Sequence, residues 1–524
     1  MLRSIAVVLI VLLSPIVAPL HAQATAAERA EALKEFRRYF KKFKTVEEQV
    51  EAIKTLEGME SVDACDELVG LLDHPTPEIA NTARTVLATY HDAASFANQT
   101  EALPKMKDQA RRAGLIDVLG KAGIRDAMPL VVDIALNDKK ASTEVRFAAA
   151  RAVAAAGWHD GVVPMLTQLF ADSDPLVRMG AAEAAGVLVE KELGAGLVTL
   201  LDDNAWQVQV AAVKSVAAVR EPTAVPKLIE LMRKGGRLEE ETADALFRIT
   251  GFDFGRDPDA WKTTWDRLMA IPGWRIPTDD ELAKAAASRK KYDALYGKGG
   301  DAPTFGGIAT TSRRLLFIID VSGSMADLVV EREKFDSGYR NYEKLTIVKA
   351  ELQRTIDSLG DDVSFNIVAF ASDLRPWKST LVRSNVVNRA SAKSWVDHLE
   401  PIGGPEAQAM AGAGLTGTAN LAAGKTNTYR ALMFPFGVDP DQKGKPGSPE
   451  ANAMRNEVDT VFFLSDGRPS TGKYTDTAQI LEEVHRVNER FQIVFHALAI
   501  GEFEKNFMKV LAESNGGVFV DLGR

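Results

Sequence analysis

Cysteine is almost absent from this chain of 524 residues, Cys65 being the only one. An intrachain disulfide is excluded, and Cys65 stands too far from the N-terminus to be the lipid-acceptor cysteine of a processed leader. It reads as a small packed helix residue. Excess positive charge is missing as well. The chain sets 63 lysines and arginines against 72 acidic residues, for a net charge of −9 and a pI near 5.5. No sequence-wide basic field exists with which to hold nucleic acid. After the N-terminal stretch no segment is apolar enough to cross a bilayer. The seven histidines are dispersed, and neither a His-Glu-x-x-His helix nor a Gly-x-Ser-x-Gly elbow occurs, so zinc-hydrolase and serine-hydrolase chemistry lose their usual signatures. His398 and His496 fall at a helix end and within a strand, where packing accounts for them.

What is present is a globular composition, 46% hydrophobic and 26% charged, in a chain long enough for two or three cores. Arg3, the apolar run Ile5 to Leu13, Pro15 and the small residues ending Ala22-Gln23-Ala24 have the anatomy of a secretory signal. Cleavage is expected near Ala22 or Ala24, leaving a secreted or periplasmic protein without a membrane span. An uncleaved anchor is the alternative.

From Val62 to Ile249 the sequence repeats. Ser142-Thr-Glu-Val-Arg-Phe-Ala-Ala-Ala and Asp174-Pro-Leu-Val-Arg-Met-Gly-Ala-Ala place Arg146 and Arg178 32 residues apart, and Gln209 follows after 31 more. Weaker copies lie near Ile79, Arg112 and Thr242, about six units in all, each reading as two helices. Alanines mark close helix approach, and Leu, Val and Ile at i, i+3 and i+4 face the next unit. The pattern resembles the short HEAT-like repeats of bacterial proteins, whose hallmark Asp-Pro-x-Val-Arg-x-x-Ala-Ala is closely matched from Asp174 to Ala182. Tetratricopeptide and ankyrin signatures are missing. The resemblance implies an α-solenoid that is either a protein-binding platform or a spacer. Trp261, Trp265 and Trp274 then suit a cap over the end of the array. Asp279 to Leu295 reads as one charged helix, and Gly297 to Gly307 as a flexible linker.

Beyond the linker, Leu315-Leu-Phe-Ile-Ile319 is a continuous apolar run of the kind found in parallel strands buried on both faces. It leads into Asp320-Val-Ser322-Gly-Ser324. A carboxylate and two hydroxyls on one turn at a strand's carboxyl end are hard oxygen donors suited to Mg²⁺. Thr426-Asn-Thr-Tyr429 opens a further helix, and Val458 to Leu464 is a second buried strand, ending at Ser465-Asp466. The set resembles the metal-ion-dependent adhesion site of von Willebrand factor A domains. That resemblance implies Asp320, Ser322, Ser324, Thr426 and Asp466 around one divalent cation (Mg²⁺, or Mn²⁺ or Ca²⁺), the hydroxyls coordinating directly and the aspartates mostly through water. It also implies an open position filled by a carboxylate of a protein partner. Family members run through Gly-Gly-Thr-Asn without interruption, whereas here Pro405 to Ala423 is inserted after Gly403-Gly404, leaving Thr416 and Thr418 as alternatives to Thr426.

Helices at Lys344 to Leu359, Ser391 to Leu399 and Asp476 to Phe491 alternate with strands at Val363 to Phe370 and Ile493 to Ile500, and a final helix and strand run to Val520. This alternation predicts an α/β doubly wound, Rossmann-like parallel sheet. The expected organisation is therefore a signal at 1–24, a helical segment at 25–61, the capped repeats at 62–275, a helix and linker at 276–312, and the A-type domain at 313–524. The expected function is cation-dependent protein binding without catalysis. A chaperone-like partnership with an ATPase and a metal-assisted hydrolase are the other classes. The phosphate-loop lookalike from Ala419 to Thr426 lacks the buried strand that would feed it.

Overall fold

The computed structural model describes residues 24–296, 304–330, 339, 341–403, 424–440, 448–501 and 505–522. The expected signal up to Gln23 and the whole insertion Pro405 to Ala423, and with it Thr416 and Thr418, lie outside the described residues. The chain divides into two compact units, Met1–Ala184 and Ala185–Arg524.

The first unit is helical. After the helices Ala26–Phe40 and Val46–Lys54 come Val62–Val69 with Pro77–Ala88, Ala97–Ala102 with Gln109–Lys121, and Met128–Asn137 with Thr143–Ala155. Val162–Phe170 and Pro175–Leu188 follow, the last helix running over the division at Ala184. The hallmark residues have local work to do. Asp174 Oδ1 accepts from the Leu176 N–H at 2.9 Å, capping a helix that opens with Pro175, whose ring fits the first turn. Two of the recurring arginines each reach an aspartate 26 positions later: Arg112 Nη1 donates to Asp138 Oδ2 at 2.6 Å, and Arg146 Nε to Asp172 Oδ2 at 2.7 Å. These pairs bind each second helix to the loop of the following unit, which is what a repeating array requires.

The second unit opens with the pairs Gly194–Leu200 with Trp206–Val219 and Val225–Lys234 with Leu238–Thr250. In the helix Pro258–Met269, Trp261 is fully buried, edge-on to Phe254, and Trp265 meets Trp274 edge-on at 5.4 Å. The helix Asp279–Tyr296 follows.

A short antiparallel hairpin comes next, β1 (Thr304–Phe305) and β2 (Ile308–Ala309). The main sheet contains β3 (Arg314–Asp320), β4 (Ser364–Phe370), β5 (Leu374–Pro376), β6 (Val382–Arg383), β7 (Thr460–Ser465), β8 (Val494–Ala499) and β9 (Phe519–Asp521). Its order is β5-β4-β3-β7-β8-β9, with β6 also pairing β4. The five strands β4, β3, β7, β8 and β9 run parallel, while β5 and β6 are antiparallel edges. Along β3 the side chains alternate between two cores. Leu315, Phe317 and Ile319 face the helix Lys344–Ser358, and Leu316 and Ile318 face the helix Thr477–Asn488. Burial on both faces is why the strand reads as an unbroken apolar run.

Two expectations need correction. The segment assigned to a flexible linker includes the β1–β2 hairpin, whose Phe305 and Ile308 belong to the sheet's core. The helix expected from Ser391 starts at Val386, capped by the Asn385 side chain, which accepts from the Asn388 N–H at 2.8 Å, and it ends at Asp397.

Candidate functional site

β3 lies at the centre of the sheet, with the chain crossing to β4 on one side and later to β7 on the other. The carboxyl ends of β3 and β7 therefore flank the point where the winding reverses, where open α/β sheets place their ligands. Asp320 is the last residue of β3, Ser465 is the last of β7, and Asp466 follows it directly.

Asp320 is wholly buried. Its Oδ1 accepts from the Ser322 N–H at 2.8 Å, which folds the Asp-x-Ser turn back on itself, and its Oδ2 accepts from the Ser465 hydroxyl. Ser322 Oγ and Ser324 Oγ are 3.3 Å apart, and Ser324 Oγ donates to Asp466 Oδ1 at 2.8 Å. Thr426 is placed by the neighbouring loops. Its N–H donates to Ser470 Oγ and its carbonyl accepts from the Ser470 N–H, both at 2.9 Å, while the Asn427 N–H bonds to the Ala371 carbonyl just past β4. The Asn427 side chain then caps the helix Thr428–Met433 by accepting from the Arg430 N–H.

Gly467 shows how these groups converge. A Cβ built there would lie 3.3 Å from Ser324 Oγ, 3.3 Å from Thr426 Oγ1 and 3.8 Å from Asp320 Oδ2. Three oxygens, two from the turn at the end of β3 and one from the segment at Thr426, thus surround one small space that the missing side chain leaves open. All five residues singled out from the sequence meet at this edge.

The sequence reading missed three contributors. Ser465 and Ser470 hold Asp320 and Thr426. Lys344, the first residue of the helix Lys344–Ser358, sets its Nζ 2.6 Å from Asp466 Oδ2 and 3.5 Å from the Ser324 carbonyl. Burial first, and next the negative field of Asp466, push the Asp320 carboxyl well above the ordinary carboxylate range. The donors are two carboxylates and three hydroxyls, and no group of three or more His, Cys, Asp and Glu side chains fit to hold a metal occurs among the described residues. Hard oxygens, carboxylate and hydroxyl, around a small space fit Mg²⁺ or Mn²⁺ better than softer ions. No helix among the described residues is long and apolar enough to cross a membrane.

Comparison with known families matches residues 97–186 and 163–246 to HEAT repeats, and residues 335–521 to the von Willebrand factor type A domain. Thr426 and Asp466 fall inside the second match, while Asp320, Ser322 and Ser324 precede it. Among curated proteins, inter-alpha-trypsin inhibitor heavy chain H1 of Mesocricetus auratus is 25% identical over 212 residues, 40% of this chain and 18% of that protein. Human von Willebrand factor A domain-containing protein 3A is 21% identical over 207 residues, 39% of this chain and 13% of that protein. The chain thus spans less than one fifth of the length of these relatives. Among solved structures, BatB from Bacteroides thetaiotaomicron overlays 40% of this chain and 88% of its own at 13% identity and a TM-score of 0.25. Kap121p bound to Nup53p overlays 51% of this chain and 32% of its own at 14% identity and a TM-score of 0.37. The chain carries HEAT repeats and, after them, a von Willebrand factor type A domain.

Proposed function

We propose that this is a protein-binding protein whose A-type domain engages its partner through a divalent cation, with the repeats as scaffold, and that it performs no catalysis of its own. The supporting observation is the convergence of Asp320, Ser324 and Thr426 oxygens on the space beside Gly467, with Ser322 and Asp466 tied to the same turn. Asp320, Ser322, Ser324, Thr426 and Asp466 would hold Mg²⁺, or Mn²⁺ or Ca²⁺ in its place. The cation supplies a positive centre for a carboxylate from an acidic residue of the partner. Both aspartates already accept hydrogen bonds from neighbouring side chains, which suits groups that orient donors rather than abstract protons. The likeness of about two fifths of the chain to A-domain proteins supports a role in protein interaction. The N-terminal sequence supports export to a secreted or periplasmic location.

Calorimetry on the full protein tests the reading. One Mg²⁺ or Mn²⁺ is expected to bind the wild type, and Asp320→Ala should abolish binding, because Mg²⁺ held mostly by neutral hydroxyls tolerates little loss of charge. Capture of partners should occur in Mg²⁺ and fail in EDTA. Unchanged Mg²⁺ binding by Asp320→Ala would overturn the proposal.

A further inference from the structure

Lys344 is out of place by ordinary rules. A cation at the first position of a helix faces the positive end of the helix dipole, where acidic residues are favoured. Yet its ammonium is drawn inward, with 13% of the side chain exposed, to a carboxylate, Asp466, whose side chain is completely buried. The chain makes room for it. Gly501, just past β8 with φ +105°, stands where a Cβ would lie 3.2 Å from Lys344 Cε and 3.5 Å from Nζ. The start of the helix is held as well, since the Lys344 N–H donates to the Asp327 carbonyl and the Asp327 N–H to that of Ser324, both at 3.0 Å. Asp327 Oδ2, half-exposed, is 4.0 Å from Nζ and adds little.

Resting on the cation-site reading above, we propose that Lys344 is a resident counter-cation of the site. With no divalent ion bound, its ammonium offsets the buried charge of Asp466 and keeps the edge folded. With a divalent ion bound, the same ammonium repels it across a few ångströms of poorly screened space and so lowers the affinity of the site. Lys344 thus sets the cation concentration at which the site loads, without itself ligating the metal. It is a positioning and charge-setting residue, and its effect is electrostatic.

The experiment is titration calorimetry of the full chain with MgCl₂ alone, on wild type, Lys344→Met, Lys344→Gln, Lys344→Arg and Asp320→Asn, each also melted in EDTA. Removing the charge should tighten Mg²⁺ binding by about tenfold or more. It should also lower the melting temperature in EDTA, with the deficit closing at saturating Mg²⁺. Lys344→Gln covers the case in which Lys344→Met does not fold. Lys344→Arg should bind Mg²⁺ within about twofold of wild type. Equal or weaker Mg²⁺ binding by both neutral variants overturns the inference, as does equal tightening by Lys344→Arg, which would make shape the cause. If wild type binds Mg²⁺ no better than Asp320→Asn, the cation-site reading itself falls. A wild type that binds beside neutral variants that do not tighten sinks only the role of Lys344.

Discussion

Two buried titrating residues pull the metal-free protein in opposite directions as pH changes. His496 stacks on Phe462 with ring centroids 4.8 Å apart, and its Nδ1 accepts from the Val518 N–H at 3.1 Å. Burial lowers its pKa to about 4 from an ordinary value of 6.5. Its folded-state pKa lies below the unfolded one, so its contribution to stability is complete above about pH 6.5 and is lost as the pH falls toward 4. Asp320 has the reverse sign. Its pKa is raised by burial and by Asp466, so the fold favours the protonated form, and stability falls as the pH rises out of the carboxylate range toward neutrality. Asp320→Asn should therefore leave the fold intact, raise the EDTA melting temperature at pH 7, and unmask an acid-labile profile below about pH 6.5. His496→Asn, which keeps an acceptor for Val518, should flatten that acid limb. Thermal melts in EDTA across pH 4–8 decide the matter, and an Asp320→Asn protein less stable than wild type at pH 7 would refute this account of the carboxylate pair.

The hairpin β1–β2 shows at the scale of an element what a core contact contributes. Phe305 is buried and meets Phe317 and Phe462 edge-on, at 5.4 and 5.5 Å between centroids. Phe305→Ala should cost about 3–5 kcal/mol by the cavity it leaves, measured by denaturant titration of the full chain. A fragment beginning at residue 313 should be less stable than one beginning at 300, and equal midpoints would show the hairpin to be an ornament. Sequence patterning did not reveal this element, because one aromatic among Gly297, Gly299, Gly300, Gly306 and Gly307 carries no periodicity. β3 and β7 were legible for the opposite reason. Central strands buried on both faces read as apolar runs, and an aspartate interrupts each, Asp320 as the last residue of β3 and Asp466 just past β7. The edge strands β5 and β6 are three and two residues long, too short to show alternation. Lys344 was invisible in another sense. Its partner lies 122 positions away, and a lysine opening a helix reads as a solvated charge until the fold brings Asp466 to it. Thr426 was legible through Asn427 and the helix it caps, despite the insertion before it.

At the scale of the whole second unit, the last repeats meet the A-type domain at the amino ends of its strands, opposite the candidate cation site. Arg237, beside the helix Leu238–Thr250, reaches across so that its Nη2 donates to the Gln492 carbonyl at 2.9 Å, and its guanidinium lies 5.1 Å from the Trp206 ring. In return, Arg313 Nη1 donates to the Lys234 carbonyl at 2.8 Å. Asp459, just before β7, accepts from the hydroxyls of Ser312 and Thr460. Burial raises its pKa, while the positive field of Arg237 works against that rise. The surrounding cleft, about 650 Å³, has Lys214, Glu240, Arg248 and His485 among the residues on its walls. The contact therefore depends on a few desolvated groups, of which Arg237, with 9% of its side chain exposed, is the most buried cation. A charged hydrogen bond removed from such a place costs about 2–3 kcal/mol, and here the loss falls on the coupling between two cores. Arg237→Ala should leave each core folded but let them melt apart, so that scanning calorimetry shows the transition of the A-type domain moving below that of the last repeats. Arg237→Lys should fall between, because an ammonium keeps the field at Asp459 but cannot both reach the Gln492 carbonyl and stack on Trp206 with a planar fork. Mg²⁺ binding should be unchanged in both variants, since the cation site occupies the far end of the sheet. A wild-type-like thermogram for Arg237→Ala would mean that the two cores are held together by something other than this arginine.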